Sequence, residues 1–198
     1  MFLTIALFLI GYLFGSIPTA YWYAKYFHGI DIRKHGSGNI GATNSLRVLG
    51  KKAGIVVLIF DLLKGLIPVY LAKYLGLTQE VVFLIGLTSI LGHIFSVFAG
   101  FKGGKGIATS LGVILAVSPI GGGISAVVFI AVVYITKYVS LGSLLAGLAF
   151  VVYFLISNGV FNSLSYIAFG LFVLIIFTHR SNIQKLINGT ENKLGKKA

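Results

Sequence analysis

The chain of 198 residues has no cysteine. Disulfides, thiolate nucleophiles and Cys-ligated zinc or iron–sulfur centres are therefore excluded. Acids are nearly as scarce, with 4 Asp+Glu against 16 Lys+Arg, a formal net charge of +12. Charged residues make up only 10% of the chain and hydrophobic ones 57%, which excludes an ordinary soluble domain, where about a quarter of residues are charged. The aromatics lie mostly within apolar runs and form no stacking platform, so no nucleic-acid partner is expected despite the basic balance. Four histidines with no i,i+4 pair make a metal site unexpected, and no cofactor motif stands out. The N-terminus lacks a basic n-region, and Phe2–Tyr23 is long enough to be retained as a membrane span.

What the chain does have is a series of apolar runs near the ~20 residues that cross a hydrocarbon core. With no water there to satisfy the backbone, such runs fold as helices, so a single all-α polytopic membrane domain over residues 1–198 is expected. Seven spans are read: Phe2–Tyr23, Ala53–Leu75, Glu80–Phe98, a short span from Ile107, a fifth ending near Ile135, Val139–Ile156 and Ser163–Phe177. The fourth and fifth are separated at Ser118-Pro119-Ile120-Gly121-Gly122-Gly123, because proline and a triple glycine punctuate a helix. Seven spans place the loops at 24–52, 99–106 and 136–140 on one side together with the tail from His179. That side carries Lys25, Arg33, Lys34, Arg47, Lys51, Lys52, Lys102, Lys105, Lys137, Arg180, Lys185, Lys193, Lys196 and Lys197, and the other only Lys73. The asymmetry predicts an outside N-terminus and a cytoplasmic C-terminus. Attraction to anionic lipid headgroups accounts for part of the same charge. Small residues at four-residue spacing, Gly11 and Gly15, Gly142 and Ala146, predict close helix packing.

Two polar loops interrupt the apolar runs. The first, Ser37-Gly38-Asn39-Ile40-Gly41-Ala42-Thr43-Asn44, combines glycines with hydroxyl and amide side chains, the composition of a backbone nest that seats an anion. A short helix over Ser45–Leu49, capped by Thr43 or Asn44 and ended by Gly50, places this nest at a helix N-terminus, with Arg47 just inside to grip a phosphate bidentately. The second, Lys102-Gly103-Gly104-Lys105-Gly106, sets two ammonium groups among glycines that permit close backbone approach. It is not a Walker sequence, since the spacing differs and no strand precedes it. A positive-inside anchor does not need those glycines, so a second phosphate contact is the favoured reading; were the reaction an acyl transfer, the backbone amides of both glycine loops would be the expected donors to its oxyanion.

Elsewhere the polar residues are isolated. Asp61 and Lys64, three apart within the second span, are expected to neutralise each other as structural glue. His93 is read as a hydrogen-bonded structural residue. His179, beside Arg180 and Asn182 at the end of the last span, is a candidate base or phosphate ligand. Ile183, Leu186 and Ile187 form a helical stripe in the tail, and Glu191, the only acid there, is expected to pair with a cation that fixes the tail. Ser140 and Ser143 at the start of the sixth span read, on their own, as helix caps.

Together these pieces resemble the bacterial integral-membrane glycerol-3-phosphate acyltransferases that use acyl phosphate. The matching strings are Gly15-Ser16-Ile17-Pro18, Ser37–Asn44 with Leu46-Arg47, Phe60-Asp61-Leu62-Leu63-Lys64-Gly65, Gly92-His93-Ile94, Val97–Thr109, Ser140-Leu141-Gly142, and His179 with Asn182-Ile183-Gln184, Glu191 and Lys193. They run in order from about residue 11 to 193. The resemblance implies transfer of a fatty acyl group from acyl phosphate to the 1-hydroxyl of sn-glycerol 3-phosphate, giving lysophosphatidic acid and phosphate. This would be the first acylation of phospholipid synthesis, at the bacterial inner membrane. It implies catalytic roles for Ser37, Arg47, His179 and Asn182. Substrate contacts are expected from Gly38, Asn39, Gly41, Thr43, Asn44, Lys102, Gly103, Gly104, Lys105 and Ser143, and structural roles for Asp61, Lys64 and Glu191. Implied partners are glycerol 3-phosphate, acyl phosphate, membrane lipid and a soluble enzyme that makes the acyl phosphate. The general base is left as either His179 or a phosphate oxygen of a substrate. The rival class is a transporter or channel for a phosphorylated solute, against which stand the lack of internal repeats and the placement of every anion-binding feature on one face. A third reading, transfer from acyl-CoA or acyl carrier protein, lacks the His-and-acid pairs that soluble-type acyltransferases use.

Overall fold

The computed structural model describes residues 2–195, whose regular structure is helical, with no strand among them. The helices are α1 (Phe2–Gly15), α2 (Thr19–His28), α3 (Ala42–Leu49), α4 (Lys51–Tyr74), α5 (Gln79–Ile94), α6 (Ile107–Val117), α7 (Pro119–Thr136), α8 (Val139–Asn158), α9 (Ser163–Thr178) and α10 (Arg180–Ile187). They form two compact units, Met1–Val117 and Ser118–Ala198.

Among the described residues, five helical stretches are long and apolar enough to cross a membrane: Phe2–His28, Lys51–Tyr74, Gln79–Ala99, Pro119–Thr136 and Val139–Asn158. A sixth follows if α9 and α10, bent by 62°, count as one broken span. The 11 residues of α6 cover only ~16 Å at 1.5 Å per residue, about half a hydrocarbon core. The break between the fourth and fifth predicted spans is at Ser118, whose hydroxyl accepts from the Gly121 amide at 3.2 Å while Pro119 opens α7. The triple glycine, expected to help break the chain, instead lies inside the first turns of α7.

In the first unit, α1 packs on α5 and α4 on α6 through glycines. A side chain on Gly15 would collide with the Ser89 backbone of α5, and one on Gly92 with the Tyr12 carbonyl of α1. Gly65 meets Thr109, and Gly112 meets Leu62, in the same way. Bringing backbones this close replaces the hydrophobic drive that lipid cannot supply.

The first span is not the single helix that its continuous hydropathy predicts. It is interrupted at Ser16-Ile17-Pro18, where Pro18 has no N–H to continue the ladder. The carbonyls freed there find donors on neighbouring elements. Lys64 Nζ of α4 lies 2.6 Å from the Ile17 oxygen, and the Ser96 hydroxyl donates to that of Ser16. A broken helix is tolerated at membrane depth only where the protein re-satisfies it in this manner.

In the second unit α7 packs along α8, and α8 along α9. Gly121 seats against Tyr153 and Phe150, Gly142 against Val133 and Phe129, and Gly147 against Phe172. The Asn162 side chain caps α9 by accepting from the Leu164 amide at 2.9 Å. After α10 the chain returns to the turn between α7 and α8, where the Leu194 amide donates to the Lys137 carbonyl at 2.7 Å.

Candidate functional site

The loop from Gly29 to Gly41 is fixed by two apolar residues. Ile32 and Ile40 are buried with Ala20 and Ala24 of α2, Val57 of α4 and Ala99. Between them the chain is held by one amide side chain. Asn44, buried in α3, donates from Nδ2 to the His35 carbonyl at 3.0 Å and more weakly to that of Ile32 at 3.4 Å. Its Oδ1 accepts from the Ser37 amide at 2.9 Å. Gly36 lies at φ +60, and any side chain there would strike Asn44 Oδ1. The result is a rigid turn that leaves Ser37 exposed and Gly38 and Asn39 half-buried.

Contrary to the expectation from residue type, Asn44 does not cap α3. The helix begins three residues earlier than expected, at Ala42, with Gly41 as N-cap and no side chain closing the end. The physical reason is the Asn44 amide's commitment to the loop, and Thr43 lies within the helix. Gly50 ends α3 as expected. An uncapped first turn leaves its backbone N–H groups facing outward, and the side-chain amide of Asn39 lies beside Gly41 at the same end. Arg47, one turn further along, is half-buried. Not every cation of this loop is available to a ligand. Arg33 forms a bidentate pair with Asp31, 2.8 and 2.9 Å at the two closest contacts, and stacks on Tyr21. Its hydrogen bonds hold the Asp31 carboxyl down to about 2.

The second loop is pinned to the end of α5. The Gly103 amide donates to the Ile94 carbonyl at 3.0 Å and the Gly104 amide to the His93 carbonyl at 3.1 Å. Both glycines approach so closely that a side chain on Gly103 would overlap the His93 and Ile94 carbonyls, and one on Gly104 the His93 ring. These two amides therefore close the C-terminus of α5, which corrects the expectation that they serve as oxyanion donors. The glycines act instead by bringing Lys102, exposed, and Lys105, half-buried, to a fixed place. That place is beside the first loop, since the Ile40 carbonyl packs against Gly104. The structure thus brings the two predicted anion-binding loops of the first unit together.

Behind the turn is a buried polar cluster. Asp61 and Lys64 pair at 2.6 Å with side chains 2% and 4% exposed, and His93 Nδ1 lies 3.0 Å from Thr109 Oγ1 and 3.9 Å from Asp61. The i,i+3 spacing of Asp61 and Lys64 is a local signal for the ion pair. The link from His93 to Thr109 joins residues sixteen apart on different helices and has no local signal.

In the second unit the candidate residues gather around Glu191 and the bend after α9. Glu191 Oε1 accepts from Asn182 Nδ2 at 2.9 Å and from Ser140 Oγ at 3.1 Å. Among the described residues its partners are thus an amide and a hydroxyl, in place of the expected cation, and Ser140 ties the tail rather than capping α8. Lys193 meanwhile lies over the Tyr138 ring. Ser143 is buried and donates to the Val139 carbonyl at 2.9 Å, within its own helix. His179 is buried at the bend, with Nδ1 2.9 Å from the Ile175 carbonyl. A carbonyl only accepts, so Nδ1 carries the hydrogen of this contact. Among the described residues no three His, Asp or Glu side chains stand close enough to hold a metal ion.

A family model described as glycerol-3-phosphate acyltransferase matches residues 5–189. The chain belongs to that family. A glycerol-3-phosphate acyltransferase of Fusobacterium nucleatum is 47% identical over 184 residues, covering 92% of this chain and 93% of that one. Glycerol-3-phosphate acyltransferase 2 of Bacillus anthracis is 50% identical over 188 residues, with 94% and 96% covered. Among solved structures, the glycerol 3-phosphate form of the integral membrane acyltransferase PlsY superposes with a TM-score of 0.91 at 41% identity, covering 97% of this chain and 96% of that one. Its lysophosphatidic acid form gives 0.88 at 40% identity, with 97% and 95% covered.

Proposed function

We propose that this chain transfers a fatty acyl group from acyl phosphate to the 1-hydroxyl of sn-glycerol 3-phosphate. The hydroxyl oxygen bonds to the carbonyl carbon, the bond from that carbon to the phosphate oxygen breaks, and phosphate leaves with the electron pair. The products are lysophosphatidic acid and phosphate. A mixed anhydride needs little activation, so the protein's task is to bring two anions together and align them. The observation that best supports this reading is the apposition of the Ile40 carbonyl and Gly104, which gathers the uncapped end of α3 and the lysine-bearing turn into one cationic surface.

On this reading Arg47 and Lys105 take phosphoryl oxygens, with Ser37, Asn39, Thr43 and Lys102 as further contacts. Gly38 and Gly41 shape the first nest, and Asn44 serves by holding the turn that presents Ser37. From the second unit, His179 and Asn182 act on the substrate, Glu191 orients Asn182, and Ser143 supports the start of α8. The whole chain works as one acyltransferase domain. Acyl phosphate and glycerol 3-phosphate supplied together in detergent are expected to give lysophosphatidic acid, whereas acyl-CoA or acyl carrier protein in place of acyl phosphate gives none. Product from a thioester donor alone would defeat the assignment of the donor. Formation in detergent, with no barrier to cross, also separates an enzyme from a transporter.

This reading leaves two candidates to take the hydroxyl proton, His179 and a phosphate oxygen of the substrate itself. His179→Gln distinguishes them. A fall in kcat of about 100-fold or more with glycerol phosphate binding retained assigns the proton to the histidine. Near-normal turnover assigns it to phosphate.

The topology that accompanies this function has seven crossings, an outside N-terminus and a cytoplasmic site in the bacterial inner membrane, facing a soluble enzyme that makes acyl phosphate. The charge asymmetry of the loops supports it. Because the chain has no cysteine, single replacements report cleanly. A membrane-impermeant maleimide added to intact cells is expected to label Lys73→Cys and to spare Lys137→Cys, and the reverse pattern would invert the orientation.

A further inference from the structure

His93 takes no part in the reaction just described, yet it joins the buried charge pair to the glycine turn. Its Nδ1 side faces Thr109 Oγ1 at 3.0 Å and Asp61 Oδ1 at 3.9 Å. Its Nε2 side faces Gly104, where any side chain would collide with the ring, and its own carbonyl accepts the Gly104 amide. The ring therefore lies between the ion pair and the backbone that carries Lys102 and Lys105.

The groups behind His93 are themselves tied down. Asp61 and Lys64 pair at 2.6 Å, Lys64 Nζ also reaches the Ile17 carbonyl at 2.6 Å, and Ser89 Oγ donates to the Lys64 carbonyl at 2.6 Å. Thr109 sits where α6 meets α4, with its own carbonyl against Gly65. One connected set of contacts thus runs from the break in the first span, through α4, α5 and α6, to the turn. As a source of stability alone this arrangement is a poor choice, because apolar side chains filling the same space do as well as a buried ion pair. What it supplies is a fixed direction for an imidazole that a greasy replacement lacks.

We propose that His93 is a positioning residue: braced by Thr109 and the Asp61–Lys64 pair, it sets the Lys102–Lys105 turn at the height needed to receive the phosphoryl group of glycerol 3-phosphate. The proposal rests on the reading of that turn as a phosphoryl-binding element. It requires that losing the brace weaken substrate binding more than turnover, because the reacting atoms are elsewhere. A residue needed only for folding would lower the yield of active enzyme and leave KM alone.

The test is steady-state kinetics on enzyme purified in detergent and shown by size exclusion and thermal melting to be folded. His93→Leu and Thr109→Val are expected to raise KM for glycerol 3-phosphate by about tenfold while kcat falls by no more than about threefold. His93→Asn, which keeps a polar group near the Nδ1 position, and Thr109→Ser, which keeps the hydroxyl, are expected to stay within about threefold of the parent KM. If His93→Leu fails to fold, Thr109→Val carries the test. An unchanged KM in the folded apolar variants overturns the proposal, as does a fall confined to kcat. Lys105→Met separates this failure from that of the underlying reading. If it raises KM while the His93 and Thr109 variants do not, only the positioning role is lost; if it too leaves KM unchanged, the phosphoryl assignment of the turn falls with it.

Discussion

Asp61→Ala is expected to destabilise the folded protein by about 3–5 kcal/mol, the cost of leaving a buried partner charge uncompensated. Lys64 makes the effect large. Its side chain is 4% exposed, and once the carboxylate 2.6 Å away is gone the Ile17 carbonyl is its remaining hydrogen-bond partner among the described residues. No water or lipid headgroup takes its place in the interior of a span. The double replacement Asp61→Leu with Lys64→Met is expected to recover most of that loss, because it removes both desolvation penalties and fills the space. Thermal melting of the purified protein in detergent measures both. A single variant as stable as the parent would mean that Lys64 finds another way to shed or share its charge.

Gly103→Ala is the second change expected to have a large effect. The new methyl group would overlap the carbonyl oxygens of both His93 and Ile94, backbone atoms at the end of α5 that cannot rotate away. The turn must then lift from α5, breaking the Gly103 and Gly104 amide bonds to those same carbonyls. A displacement on the order of 1 Å at a substrate-positioning element costs about 100-fold in kcat/KM. Gly50→Ala serves as the comparison. Nothing lies within 4 Å of its added methyl, so that variant meets only the backbone strain of φ +92 and is expected to lose stability without losing substrate affinity. Equal kcat/KM for Gly103→Ala and the parent would show that the turn has room that the close packing denies.

Much of this architecture was legible in the chain because the signals are local. The apolar runs give the long helices, Ser118-Pro119 gives the start of α7, and Gly50 gives the end of α3. The ion pair of Asp61 and Lys64 follows from i,i+3 spacing and the cost of a lone charge in a span. What was misread depends on partners distant in sequence. Asn44 resembles a helix cap by type and place, but its amide is claimed by Ile32, His35 and Ser37 of a loop that only the fold brings near. The amides of Gly103 and Gly104 resemble anion donors until α5 ends directly above them. Glu191 prompts a search for a cation, whereas Ser140, 51 residues earlier, and Asn182 supply its hydrogen bonds. The first span shows the opposite error, in which Pro18 gave a local signal that continuous hydrophobicity outweighed.

On the proposed function, the loop bearing Arg47 and the turn bearing Lys105 seat one phosphoryl group together. Equilibrium binding of glycerol 3-phosphate to purified Arg47→Ala, Lys105→Met and the double variant tests it most directly. Each single variant is expected to weaken binding by about tenfold or more, and the double by less than the product of the two, because both cations act on one ligand group. A folded single variant that binds as tightly as the parent, or strictly multiplicative losses, would contradict a shared site.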